Sequence, residues 1–81
     1  MHWFLVILFW SPVTGDFEME PGLEPIQISE HELCQTAMEM TKRIILADAQ
    51  EVEYVIDCVY TTSDRSAVEL LRSGSHRGQA V

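Results

Sequence analysis

The sequence predicts a small single domain of the α+β class, and three observations lead to that class. The chain has 81 residues, enough for one hydrophobic core. One segment has the apolar periodicity of an amphipathic helix, and a later segment is rich in the β-branched and aromatic residues that favour strands. We therefore expect a central helix at about 30–47 packed on a β-strand at about 52–61.

The chain starts with an unbroken run of eight apolar residues at 3–10. A transmembrane helix needs about 20 such residues, so the run is too short to span a bilayer. One interpretation is a signal peptide over residues 1–15, with small residues at 13–15 for cleavage. A second is the first strand of a β-hairpin formed by residues 3–10 and 15–20. A third is a shallow membrane anchor.

The strand interpretation has a consequence for the surface. Both faces of a strand at 3–10 would be apolar, because large hydrophobic side chains occupy every position. A domain with one main helix is expected to cover only one of these faces. The other face would then bind a second copy in a homodimer, a partner or a membrane surface.

The start and periodicity of the central helix are both visible in the sequence. Ser29 and Glu32 have the spacing of a capping box. The apolar stripe expected to face the core is Leu33, Ala37, Met40 and Ile44, widened by Cys34, Thr41 and Ile45.

The strand at about 52–61 has one fully apolar face, although a helix is the alternative because some of its apolar residues also recur with a 3.6-residue period. Ser63 is expected to cap a short C-terminal helix at 64–72, and Gly74 to end it. The folded domain is then predicted to cover residues 16–74, with a disordered tail at 75–81.

The two cysteines are candidates for a disulfide. Cys34 lies on the apolar side of the helix and Cys58 on the apolar face of the later strand, so antiparallel packing brings them together. The bond would close a loop of about 24 residues and stabilise the fold by about 3.5 kcal/mol. It would favour an extracytoplasmic location, periplasmic or secreted, over the cytoplasm. Two buried free thiols are the alternative in a cytosolic protein.

The charge distribution indicates which partners the chain suits. The net charge is −8, and residues 16–57 hold 11 acids against Lys42 and Arg43. Such a chain repels nucleic acid. It suits a protein with a basic surface, and the candidate contact residues are Glu39, Glu51, Glu53 and Asp57.

The sequence gives no sign of catalysis. It has no phosphate-binding glycine loop and no CxxC motif, and its three histidines lack the spacing of metal ligands. The Glu30-His31-Glu32 cluster is typical of a solvated first helical turn. We expect no catalytic residue, no metal and no cofactor.

The order of features resembles small uncharacterised bacteriophage proteins, especially those of marine phages. The resemblance covers about residues 1–60. It rests on the apolar start at 1–6, the Gly15-Asp16-Phe17 step, Glu32-Leu33-Cys34 near the helix start, and the extended segment 54–58 that ends in a cysteine. It implies no activity.

Two hypotheses about function follow from the sequence as a whole. One is an exported or envelope-associated protein with one disulfide. The other is a cytosolic acidic phage-type module that occupies a basic surface on a host protein.

Overall fold

The described part of the chain forms a four-stranded antiparallel sheet with one helix on each face. The computed structural model describes residues 1–47 and 53–73. In chain order the elements are β1 His2–Ser11, β2 Asp16–Glu18, β3 Ile26–Ile28, α1 His31–Ala47, β4 Tyr54–Thr61 and α2 Asp64–Ser73. The α+β class is confirmed, with the N-terminal hairpin, the central helix, the later strand and the C-terminal helix all present.

β1 is the strand that every other strand pairs with. Along one edge it pairs with β4, from His2 opposite Thr61 to Phe9 opposite Tyr54. Along the other edge it pairs with β3 near its start and with β2 near its end. The apolar run at 3–10 is therefore the centre of the sheet, as in the strand interpretation. A chain cleaved after Gly15 would lack it.

The hairpin between β1 and β2 turns where the sequence predicted a turn. Ser11 pairs with Asp16, and Gly15 donates its N–H to the carbonyl of Ser11 at 2.8 Å. Gly15 has a φ of 70°, a conformation that costs glycine nothing because it has no Cβ. The returning strand is shorter than expected, at 16–18 rather than 15–20.

The even-numbered residues of β1 point to the α2 side of the sheet. There Phe4, Val6 and Leu8 pack with Val59 of β4 and with Ala67 and Leu71 of α2, all of them buried. The expectation that one face of this strand stays uncovered is wrong. It gave the C-terminal helix no packing site, whereas this ten-residue helix covers that face.

The odd-numbered residues of β1 point to the α1 side. Leu5 is buried there with Cys34 and Cys58, and Trp3 and Ile56 pack beside them. The ring of Trp3 also stacks on the imidazole of His31, with centroids 4.1 Å apart, which holds the first turn of α1 over the sheet.

The face of α1 that meets the sheet differs from the predicted one. Cys34 is fully buried, and Ala37, Met38, Thr41 and Ile45 are half-buried. Leu33, Met40 and Ile44, predicted to be core residues, are 51%, 58% and 64% exposed. The disulfide turns Cys34 towards β4, and successive residues are rotated by about 100°, so Leu33 is carried off the sheet.

The starts of the two helices are also informative. In α1 the first helical bond runs from the N–H of Cys34 to the carbonyl of Glu30, which makes Glu30 the N-cap instead of Ser29. In α2 the Ser63 hydroxyl accepts the N–H of Ser66 at 3.1 Å, so the predicted cap is confirmed. The predicted start of the later strand at 52, the Gly74 stop and the tail at 75–81 lie outside the described residues.

Candidate functional site

The disulfide between Cys34 and Cys58 is formed, as the sequence predicted. It joins α1 to β4 with the two Cα atoms 6.1 Å apart and 24 residues between them in sequence. Cys58 pairs with Leu5 of β1, so the bond lies over the middle of the sheet, within the small core on the α1 side. In the oxidised protein neither cysteine is a free nucleophile.

Beyond the disulfide, the α1 side of the sheet opens into an apolar cleft of about 390 Å³. Its floor is made by Leu5, Ile7 and Ile56 of β1 and β4. One wall is Thr41 of α1, and the other is the segment 22–26 that leads into β3. The cleft exists because a single helix does not cover the whole width of this face.

The rim of the cleft is unusually apolar for a surface. Leu23 and Ile26, which line it, are 48% and 58% exposed. On α1 the exposed side chains of Leu33, Met40 and Ile44 occupy the helix flank next to the half-buried Ala37 and Thr41. Cleft and helix flank together form the apolar groove, which we define by Leu23, Ile26, Leu33, Ala37, Met40 and Ile44.

The described candidates for partner binding, Glu39, Glu53 and Asp57, lie on or beside different elements. Glu39 is exposed on α1, where its carboxylate lies 3.9 Å from the Lys42 ammonium. Glu53 is exposed just before β4, and its carbonyl accepts the N–H of Trp10 at 3.0 Å. Asp57 is half-buried and pairs with Val6, which places it on the α2 side of the sheet. Glu51 lies outside the described residues.

Asp57 also has a structural task on β4. One of its carboxylate oxygens accepts the N–H of Cys58 at 2.8 Å. Alternate residues of β4 direct their backbone groups to β1, and the bond between Trp10 and Glu53 assigns the odd-numbered residues to that role. The N–H of Cys58 therefore points to the outer edge of the sheet, where the Asp57 side chain satisfies it.

A polar cluster centred on Arg72 lies where α2 packs against β2. The guanidinium of Arg72 donates to the carbonyl oxygen of Phe17 at 3.0 Å. It also lies 3.4 to 4.0 Å from the carboxylates of Glu69, Glu18 and Asp16. Arg72 thus links the end of α2 to β2, and we interpret this contact as structural.

Comparisons with known proteins identify no relative: no family model, no curated protein and no solved structure matches the chain. Neither α1 nor α2 has the combination of length and apolar character needed to cross a bilayer, as far as the described residues go. Over residues 1–47 and 53–73 no group of three or more His, Cys, Asp and Glu side chains is arranged to hold a metal ion.

Sequence reasoning found the disulfide and missed the groove. The signal for the groove was present, because Leu33, Ala37, Met40 and Ile44 alternate in steps of four and three residues. A second set, Cys34, Met38, Thr41 and Ile45, has the same steps one residue later. Nothing in the pattern of residues decides which of the two sets faces the sheet.

Proposed function

We propose that the protein is a non-catalytic binding domain that acts outside the reducing cytosol, exported or associated with the cell envelope, with its fold held by one disulfide. The observation that carries the proposal is the bond between Cys34 and Cys58 in the core on the α1 side. Disulfides persist in oxidising compartments and are found where a small domain cannot build a sufficient core.

The binding role is supported by the surface. A chain of this size needs most of its apolar side chains for its core. Five of the residues that define the groove nevertheless have about half or more of their surface exposed: Leu23, Ile26, Leu33, Met40 and Ile44. Contiguous exposed apolar surface of this kind marks interaction sites. The acidic composition adds long-range attraction for a basic partner.

Residues 2–11 are part of this proposed domain, because every other strand pairs with β1 and its side chains contribute to both cores. Removing them would expose both helices' apolar faces. We therefore propose that the mature protein retains β1.

The test is mass spectrometry of the protein isolated from the cells that make it, alkylated before and after reduction. We expect peptides covering residues 2–11, and cysteines that react only after reduction. The protein should fractionate with the envelope or the extracellular medium. Two cysteines alkylated without reductant, in protein recovered from the cytosol, would contradict the proposal.

A second candidate is the cytosolic acidic module, related to the phage-type resemblance, that occupies a basic surface on a host protein. It is supported by the net charge of −9 over residues 16–57. A partner captured through this charge should be released as ionic strength rises, because charge steering is screened by salt. Retention that ignores ionic strength would count against it.

A further inference from the structure

We infer that the apolar groove beside α1 binds a basic amphipathic helix of another protein. The inference rests on the proposed binding function and specifies its partner. It comes from three observations: the spacing of the exposed residues on α1, the open cleft beside them, and the charge of the surrounding chain.

One stripe of α1, exposed except at the half-buried Ala37, has the spacing of a helix-packing seam. Leu33, Ala37, Met40, Ile44 and Ala47 follow one another in steps of four, three, four and three residues, the pattern that a coiled-coil helix presents to its partner. From Leu33 to Ile44 the seam runs for about 16 Å, three helical turns. Ala37, between two large side chains, leaves room for a partner's side chain to enter.

The cleft gives this seam a second wall. Leu23 and Ile26 lie across from Thr41, over the floor formed by Leu5, Ile7 and Ile56. A helix laid along α1 would cover the floor and both walls together. This is the way amphipathic helices dock in hydrophobic grooves, through anchor side chains on one face.

The charge of the residues around the groove indicates which kind of partner helix would bind there. Residues 19–47, which supply both the segment that walls the cleft and the whole of α1, hold five acids against Lys42 and Arg43, a net charge of −3. Glu24 itself lines the cleft. Lysine and arginine beside the anchors of a partner helix would meet this acidic rim. A second copy of the chain would bring its own charge of −8 to the interface, which opposes self-association.

The experiment uses the oxidised full-length protein and two synthetic amphipathic helices of about five turns, with the same leucine face and either lysine or glutamate elsewhere. Binding is measured by calorimetry at low and high salt. We expect the lysine peptide to bind, its affinity to fall as salt rises, and the glutamate peptide not to bind.

Matched variants locate the site. Met40→Gln combined with Ile44→Gln removes two anchors of the seam without changing the charge. We expect about a tenfold loss of affinity or more, since central apolar anchors dominate such interfaces. Leu46→Gln is the control, because Leu46 is 72% exposed on the same helix but rotated away from the seam. It should keep the wild-type affinity.

Three results would overturn the inference. One is equal binding of the lysine peptide by the wild type and the Met40→Gln, Ile44→Gln variant, or no binding of that peptide at all. The second is a doubled mass in sedimentation that the double variant abolishes, because the occupant would then be a second copy. The third is seam-dependent binding to anionic vesicles with none to the peptide. None of these depends on the thiol state in cells, so the inference can fail while the proposed function stands.

Discussion

At the residue scale, two contacts join elements that are far apart in the sequence. The disulfide ties α1 to β4, and Arg72 ties α2 to β2. Both contacts compensate for the small core of an 81-residue domain, in which buried apolar side chains alone stabilise the fold only slightly.

Reduction of the disulfide is expected to destabilise the protein by about 3.5 kcal/mol, because the unfolded chain regains the freedom of the closed loop. Urea unfolding followed by circular dichroism, with and without reductant, measures the difference. The double variant Cys34→Ala, Cys58→Ala is the control, since it should lose a similar amount and become insensitive to reductant. Equal midpoints for the oxidised and reduced wild type would contradict the prediction.

Arg72→Met should destabilise the protein by about 1 to 2 kcal/mol, because it removes a charge-assisted bond to the Phe17 carbonyl and leaves three carboxylates close together. The effect should shrink as salt screens their repulsion. Arg65→Met, an exposed position on the same helix, is the matched control and should change the unfolding free energy by less than about 0.5 kcal/mol. Equal effects of the two variants would show that the contacts between Arg72 and β2 do not stabilise the fold.

At the element scale, local patterns of residues predict where the elements lie better than which way they face. The helix expected at 30–47 is found at His31–Ala47, and the strand expected at 52–61 is found at Tyr54–Thr61. Periodicity and strand propensity are properties of the local sequence. The face that α1 presents was not predictable, because two neighbouring stripes have the same spacing and a long-range bond at Cys34 chooses between them.

The packing of α2 shows the same limit. Its apolar positions were recognised, but the surface they meet is formed by β4 together with β1, and β1 lies more than fifty residues earlier in the chain. The groove was likewise hidden, because it depends on the width of a sheet whose strand order the sequence did not reveal. The candidate acids, chosen by charge alone, lie on different layers.

The helix caps can be tested directly. Ser63→Ala should cost about 1 kcal/mol, because the N–H of Ser66 loses its acceptor at the start of α2. Ser29→Ala should cost less, because Glu30 occupies the N-cap position of α1. Thermal unfolding of the two variants beside the wild type gives the comparison. A larger loss of stability for Ser29→Ala than for Ser63→Ala would indicate that Ser29 and Glu32 form the predicted capping box.

At the scale of the whole molecule, the protein has three layers, α1, the sheet and α2, and β1 contributes side chains to the cores on both faces of the sheet. Its even-numbered side chains face α2 and its odd-numbered side chains face α1. An apolar run that resembles a signal peptide therefore supplies buried residues to the cores on both faces of the sheet. Of the three interpretations of residues 1–15, the signal peptide and the first strand differ in whether the domain can exist without these residues.

Substitutions in β1 should accordingly have large effects. Leu8 is fully buried, and Leu8→Ala should cost about 2 to 5 kcal/mol through lost burial and a residual cavity. Leu23→Ala, at a half-exposed position on the rim of the groove, should cost less than about 1 kcal/mol. Urea unfolding of the oxidised variants tests both values, and a mild effect of Leu8→Ala would argue against a core on the α2 side.

The most direct test of the central position of β1 is amide hydrogen exchange of the oxidised protein, followed by NMR. The amides of Val6 and Leu8 point to β4 and lie in the core on the α2 side, so we expect them to exchange only through global unfolding. Their exchange free energies should equal the unfolding free energy measured with urea. Exchange at Val6 and Leu8 as fast as at the exposed turn residues Val13 and Thr14 would show that β1 is not the centre of the fold.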